Sequence, residues 1–343
     1  FIMKGTSPFH VTAEAARKLK EGGYEELNFH CPWQLERGGH YYVMHRDSTL
    51  IAFSVGEDWD GQNDFRMAAA HTDFPNLRIK QNAEMQKEGY GLLNVEVYGG
   101  AILNTWLDRP LSAAGRVALK SDDVFRPQMR LIDLKDPMFI IPNLAIHLNR
   151  EVNKGTELNK QKELLPIAGV SGEGFSEHNF FRELLAERLS VRPEEILDYE
   201  IGLYNADQPV YTGMNKELFS APRIDNLSSV LAILNGLMEG GRDAVNVAAF
   251  FDHEEIGSRT KQGAGSMVLS MVLEKISSGL NLDRTQFLQG LSESMLLSVD
   301  VGHAFHPNYA EKMDPTNHSP LNGGFCIKEA SAQSYATDCG AVA

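Results

Sequence analysis

Apolar residues recur at helical spacing over residues 7–21, where Val11, Ala15 and Leu19 form one stripe behind a capping Ser7 and a Pro8 suited to the first helical position. Strand-like runs follow at 41–45 (YYVMH), 49–55 (TLIAFSV) and 65–70, the last leading directly into His71. Between residues 91 and 119 the pattern changes to short apolar runs punctuated by Gly and Pro, which predicts antiparallel strands. Residues 138–150 are apolar and end on a polar group, and 180–189 read as an amphipathic helix with Phe181, Leu184, Leu185 and Leu189 on its apolar stripe. Beyond residue 219 the alternation is regular: a helix at 227–238 capped by Asp225-Asn226, a buried strand at 246–251, a helix at 267–276 and a strand at 295–300.

Strands alternating with helices argue for a mainly parallel sheet covered by helices. The fold predicted is α/β: a three-layer, mainly parallel-sheet domain made from residues 1–78 and 220–343, interrupted by a β-rich insertion of residues 79–219. No internal repeat or low-complexity tract is present, which excludes a solenoid.

Composition narrows the function classes. The 343 residues carry 46 acidic and 32 basic side chains, a net charge of −14, and 43% of them are hydrophobic, as in a globular protein with room for about two domains. With no excess of Lys or Arg to replace phosphate counterions, nucleic acid and anionic membrane are excluded as sequence-independent partners. No apolar stretch approaches the roughly 18 residues of a membrane span, and the N-terminus lacks the apolar core of a signal peptide. Three dispersed cysteines (Cys31, Cys326, Cys339) make neither a disulfide framework nor a thiolate zinc site, so a reducing, cytoplasmic setting is expected. The first residue is Phe and the last phrase is the apolar CGAVA, so the chain is expected to be part of a longer polypeptide.

The candidate chemistry sits at strand ends. Three strands predicted to be buried finish on metal-type ligands: MAAAH-T-D supplies His71 and Asp73, AAFFD-H-E-E supplies His253, Glu254 and Glu255, and LLSVD supplies Asp300; Asp225 stands at a helix start. Each has a purely structural explanation when taken alone, a polar pair at a strand end or, for Asp225, an N-cap. DHEE resists it, because four ionisable groups at the edge of a core are costly unless neutralised, paired or coordinated. In open α/β sheets ligands bind beyond the carboxyl ends of the strands, where these groups would converge. Imidazole and carboxylate donors without thiolate suit zinc, manganese or cobalt. Gly99-Gly100 and Gly323-Gly324 read as turns, since no phosphate-loop pattern surrounds them.

In this order the motifs resemble the aspartyl aminopeptidase family of dinuclear zinc exopeptidases. The resemblance runs along nearly the whole chain: SPFH at 7–10, AAHTDFPNLRIK at 69–80, EVYGGA at 96–101, IPNLAIHLNR at 141–150, RIDNLSS at 223–229, FDHEEIGS at 251–258, SVDVGHAFHPNY at 298–309, LNGGFCIK at 321–328 and YATD at 335–338. It implies two divalent ions, with zinc favoured, held by His71, a bridging Asp225, Glu255 and Asp300. It further implies Asp73 orienting the His71 imidazole and Glu254 as general base, because one of two adjacent glutamates must stay unligated to take the proton of the activated water. His147 would reach a neighbouring subunit's site and Lys328 would pair with an acidic first residue of the peptide. The insertion would dimerise and build a larger homo-oligomer, possibly a dodecamer.

Two departures accompany the resemblance. The family's second histidine ligand comes from a segment nearer its C-terminus, and none of His303, His306 or His318 matches it. The phrase after Lys328 is EASAQSYATD, where the family is Asn-rich and contains an arginine. His303 and His306 read equally as pocket wall beside Asp300 or as supports of the turn before PNY. The activity implied is removal of an N-terminal residue, Asp or Glu preferred, from peptides. A related two-metal carboxypeptidase or amide deacylase, and a non-catalytic shell or cargo protein on the same frame, remain the alternatives.

Overall fold

Ser7 is extended and its side-chain oxygen accepts from the His10 amide, which caps α1 (Pro8–Glu21). Four strands follow: β1 (Glu25–Glu26), β2 (His40–His45), β3 (Thr49–Val55) and β4 (Phe65–His71). Then come β5 (Asn76–Lys87), β6 (Tyr90–Tyr98), β7 (Leu111–Leu119), β8 (Gln128–Asp133), β9 (Ile167–Val170), α2 (Phe180–Leu189), β10 (Ile196–Asn205) and a hairpin of β11 (Val210–Thr212) and β12 (Leu218–Ser220). The chain continues through α3 (Ile224–Met238), β13 (Val245–Phe251), α4 (Val268–Gly279), α5 (Arg284–Glu293) and β14 (Met295–Ser298). This computed structural model describes residues 1–61, 64–155, 157–170, 179–329 and 337–342. Most of the phrase that departs from the family pattern after Lys328, residues 330–336, lies outside the described residues.

Residues 1–299 form one compact unit with two six-stranded sheets, ordered β1-β2-β3-β13-β4-β14 and β8-β7-β10-β5-β6-β9. In the first sheet β1·β2, β13·β4 and β4·β14 are parallel, while β3 runs antiparallel to both β2 and β13. The sheet is therefore mixed, with the parallel pairs where the ligand-bearing strands lie. It is the middle layer of three. Every residue of β3 is buried: Leu50 and Ala52 pack under α1 and α3, while Ile51, Phe53 and Val55 pack under α4 and α5. The second sheet is antiparallel throughout and holds its own core of Leu77, Val95, Val117, Ile201 and Leu203 with Phe181 and Leu185 of α2.

One sequence expectation changes, and two stretches take forms that the pattern left unassigned. The run at 295–300 was expected to be a buried strand, but β14 pairs on one side only and Met295, Leu296 and Leu297 are about half exposed. The apolar stretch 138–150 forms no regular strand: Phe139 and Ile140 make isolated bridges and residues 146–148 a turn. The helix α5 went unanticipated although Asp283 and Gln286 form a capping box around its first turn.

Residues 300–343 form the second unit. His306 accepts the Asn308 amide at 3.2 Å and packs edge-on against Tyr309, which starts a short 3-10 turn over Pro307–Lys312. The His303 carbonyl accepts from Ser319 Oγ at 2.9 Å, and the Phe305 amide donates to the Ser319 carbonyl. The His306 side chain thus supports the turn around PNY, to which His303 contributes its backbone carbonyl.

Candidate metal centre

His71, Asp73 and the Glu254-Glu255 pair are delivered by the ends of two buried strands. β4 terminates in His71 and β13 in Phe251, paired directly in parallel, so the chain emerging from each turns out over the same sheet edge. The Thr72 amide donates to the Phe251 carbonyl at 2.7 Å and extends the ladder one step beyond the strands. His253 then adopts a left-handed conformation (φ 65°), which swings Glu254 and Glu255 back towards β4.

Asp73 holds the two turns together. It is fully buried, and its Oδ1 accepts from the Glu254 amide at 3.0 Å and its Oδ2 from the Glu255 amide at 3.1 Å. Tyr98 Oη donates to the same Oδ2 at 2.7 Å. Burial opposes ionisation of Asp73, yet the bonds from His71, Tyr98 and the Glu254 amide outweigh it and hold the carboxyl below its ordinary range. Burial and the Asp73 charge push the Tyr98 phenol up, so it remains a donor.

His71 is 5% exposed, and its Nδ1 lies 2.9 Å from the Asp73 carbonyl oxygen. A carbonyl only accepts, so the ring proton belongs on Nδ1 and the Nε2 lone pair faces outward. There Nε2 meets Asp225 Oδ1 at 3.3 Å and Glu254 Oε2 at 3.9 Å. A lone pair confronting two carboxylates is relieved by a cation. Ligand atoms about 2.0–2.1 Å from a tetrahedral zinc stand roughly 3.3–3.4 Å apart, the separation of Nε2 and Oδ1 here. The donor set therefore fits zinc. Glu255 is pushed up to about 7, first by burial and then by the charges of Asp73 and Asp225, a crowding that a cation would also relieve.

Asp225 is presented by an irregular start to α3. Its peptide bond to Asn226 is cis, its backbone is extended, and the regular helix begins after Asn226. Asn226, fully buried, donates from Nδ2 to the Val299 carbonyl at 2.9 Å and so ties this turn to the segment leaving β14. Arg223 braces the turn from behind, donating to the carbonyls of Asn205 and Ile2 and lying 5.7 Å and 5.2 Å from the rings of Phe74 and Tyr204. Burial lowers its pKa to about 10.

The structure thus brings together His71, Asp73, Asp225, Glu254 and Glu255. Asp300 stands two residues beyond β14 and opens the second unit; Lys328 belongs to that unit and is exposed, its carbonyl accepting from Thr337 Oγ1. His147 occupies the exposed turn at 146–148. Sequence reasoning gave no role to Tyr98, although its motif EVYGGA carries part of the family resemblance, or to Asp252 of DHEE, which is buried beneath the site. Burial pushes Asp252 up to about 6 against the pull of His253, whose amide it accepts at 2.7 Å.

Imidazole and carboxylate donors gathered at the carboxyl edge of an α/β sheet are the donor types that suit zinc. The chain belongs to the M18 family of aminopeptidase I zinc metalloproteases, whose model matches residues 1–343, and is a zinc metalloaminopeptidase. It is 44% identical over 340 residues to a probable M18 family aminopeptidase 2 of Clostridium novyi, covering 98% of this chain and 78% of that one. The solved Ape4–Nbr1 complex contains a chain with TM-score 0.88 and 33% identity, covering 94% of this chain and 66% of that one. The Saccharomyces cerevisiae mApe1 dodecamer matches with TM-score 0.77 and 26% identity, covering 93% and 74%. No helix of the described residues is long and apolar enough to cross a membrane.

Proposed function

We propose that the protein removes the N-terminal residue of peptides, acidic residues preferred, with Glu254 as general base beside two zinc ions. The observation that carries this reading is the Asp73 clamp on the Glu254 and Glu255 amides, which fixes the backbone that carries two adjacent glutamates. His71, Asp225, Glu255 and Asp300 would hold the metal, with Asp225 shared between the two ions; manganese or cobalt could substitute. Bound there, zinc supplies Lewis acidity, lowering the pKa of water, polarising the scissile carbonyl and anchoring the free α-amine. Glu254, half exposed, takes the proton of the attacking water and passes it to the leaving amine. Asp73 holds His71 and both glutamates in place, and its position beneath the ring keeps the Nε2 lone pair outward.

Lys328 pairs with the acidic side chain of the peptide's first residue, and His147 reaches the site of a neighbouring copy. The dodecameric mApe1 supports a dimer-based homo-oligomer built through residues 79–219, with residues 1–78 and 220–343 as the catalytic domain. The shared core of β5 to β10 supports that boundary. Free cysteines at 31, 326 and 339 are consistent with the cytoplasm.

Glu254→Gln should lower turnover at least 100-fold with zinc content unchanged. Near-parental turnover would refute the base assignment. A panel of aminoacyl anilides tests selectivity: Asp and Glu derivatives should be cleaved and the Leu derivative spared, while cleavage of Leu alone would overturn the acidic preference.

A further inference from the structure

The inserted sheet reaches the centre at the end of β6. Tyr98 closes that strand opposite Asn76 of β5, and its hydroxyl reaches across to the buried carboxylate of Asp73. The next two residues meet Glu255. Gly99 adopts φ 75°, and a Cβ there would stand 2.8 Å from Glu255 Oε2 and 2.9 Å from its Cβ. Gly100 donates its amide to the same Oε2 at 3.4 Å. Three successive residues of one strand end thus touch the group that clamps both glutamate amides and the side chain of the second glutamate.

We propose that Tyr98-Gly99-Gly100 is a positioning element for zinc binding and catalysis, through which the inserted sheet sets the geometry of Asp73 and Glu255. The proposal rests on the reading of Glu255 as a zinc ligand and Glu254 as the base. The chemistry is geometric. Asp73 has one carboxylate to hold two backbone amides, and a third donor on Oδ2 fixes the rotation of that carboxylate about its Cβ bond. Without the phenol the carboxylate loses one of its fixed partners, and the two glutamate amides lose a rigid acceptor. Gly99 allows the close approach that a side chain would forbid, and the Gly100 amide orients Glu255 Oε2. Outer partners of this kind typically govern metal affinity and activity by 10- to 100-fold.

The test uses the zinc-loaded protein and Tyr98→Phe, which keeps the ring and removes the hydroxyl. Zinc affinity, measured by competition with a chromophoric chelator, should weaken about 10-fold or more, and kcat should fall by a similar factor with KM unchanged. The visible spectrum of the cobalt-substituted protein should shift, because the ligand field changes. Tyr90→Phe, at the exposed start of the same strand, should leave all three readouts at parental values. Gly100→Pro provides the second variant: it removes the amide donor and puts a ring carbon where the amide hydrogen met Glu255 Oε2, so it too should weaken zinc binding. Zinc affinity, kcat and cobalt spectrum all within twofold of the parent in folded Tyr98→Phe, or in Gly100→Pro should the first variant not fold, would overturn the proposal. Failure of the underlying reading shows differently, as an active Glu254→Gln, since the chelator assay does not depend on turnover.

Discussion

The two sheets of residues 1–299 solve the same packing problem in different ways. β3 of the mixed sheet is buried at all seven positions because helices cover both faces, whereas β10 of the inserted sheet buries Tyr199, Ile201 and Leu203 and leaves Leu197 and Asp198 exposed. A strand covered on both faces has nowhere to put polar side chains except its ends. His71, Glu254 and Glu255 stand where β4 and β13 run out, and the chemistry is concentrated there. A strand covered on one face can carry charge along its length, and Glu200 does so in the middle of β10.

The difference predicts unequal sensitivity, greatest in the doubly covered sheet. Phe53 is fully buried between Trp33 and Tyr41, with ring centroids 5.9 and 5.3 Å away. Phe53→Ala should destabilise the protein by about 3–5 kcal/mol, from lost transfer free energy and the cavity left in a sheet that helices on both sides prevent from collapsing. A lowered urea midpoint would measure it. A loss below about 1 kcal/mol would mean that the two faces are not rigidly covered.

The next effect lies where the sheets are joined. Arg116 of β7, with an 11% exposed side chain, pairs with Glu200 and with Asp47 in the β2–β3 turn, donates to the Arg46 carbonyl and stacks 4.3 Å from the ring of Phe9 in α1. Both carboxylate partners are more than a third exposed, so water screens much of the attraction and the packing of the guanidinium contributes alongside charge. Arg116→Ala should destabilise by about 2 kcal/mol, and Arg116→Lys should recover only part, since a lysine lacks the fork that serves three acceptors. Full recovery by Lys would show that charge alone joins the sheets.

Glu200 gives the same junction a pH signature. Burial would raise its pKa, but Arg116 and Arg78 overcome this and hold it below the ordinary value of 4.5. A carboxylate depressed on folding stabilises fully above its unfolded pKa and loses that contribution as pH falls through its lower folded value. Glu200→Gln should therefore be less stable than the parent at neutral pH, by about 1 kcal/mol or less given its exposure, and the gap should close below roughly pH 4. A gap that persists in acid would mean that Glu200 acts through shape and not charge.

What was legible in the sequence follows from this contrast. Apolar runs ending on His71 and on Glu254-Glu255 could be read because strands buried on both faces appear as unbroken hydrophobic stretches with ligands at their ends. The run at 295–297 looks the same in sequence, yet β14 is an edge strand, since a short apolar run does not reveal how many neighbours it will have. Tyr98 was beyond reach for another reason. Its hydroxyl matters only because β5 and β6 pair so that the end of β6 lies against residue 73, a consequence of register over two strands and not of local pattern. The same holds for Arg116, an unremarkable position in GRVAL until three separate elements converge on it.

The smallest effect is the most direct check on the open face at the start of β10. Leu197 is an apolar residue within β10 and lies one position from the fully buried Ile196, yet it is 52% exposed. Pattern alone would place it in a core. Its side chain leaves solvent only in part on folding, so Leu197→Ser should change stability by no more than about 0.5 kcal/mol, while Ile196→Ser next to it should cost several-fold more. Urea midpoints of the two variants, compared in one buffer, separate the faces. An equal loss at both positions would mean that a second layer covers the outer face of the inserted sheet in solution, as an assembled oligomer built on that face would require.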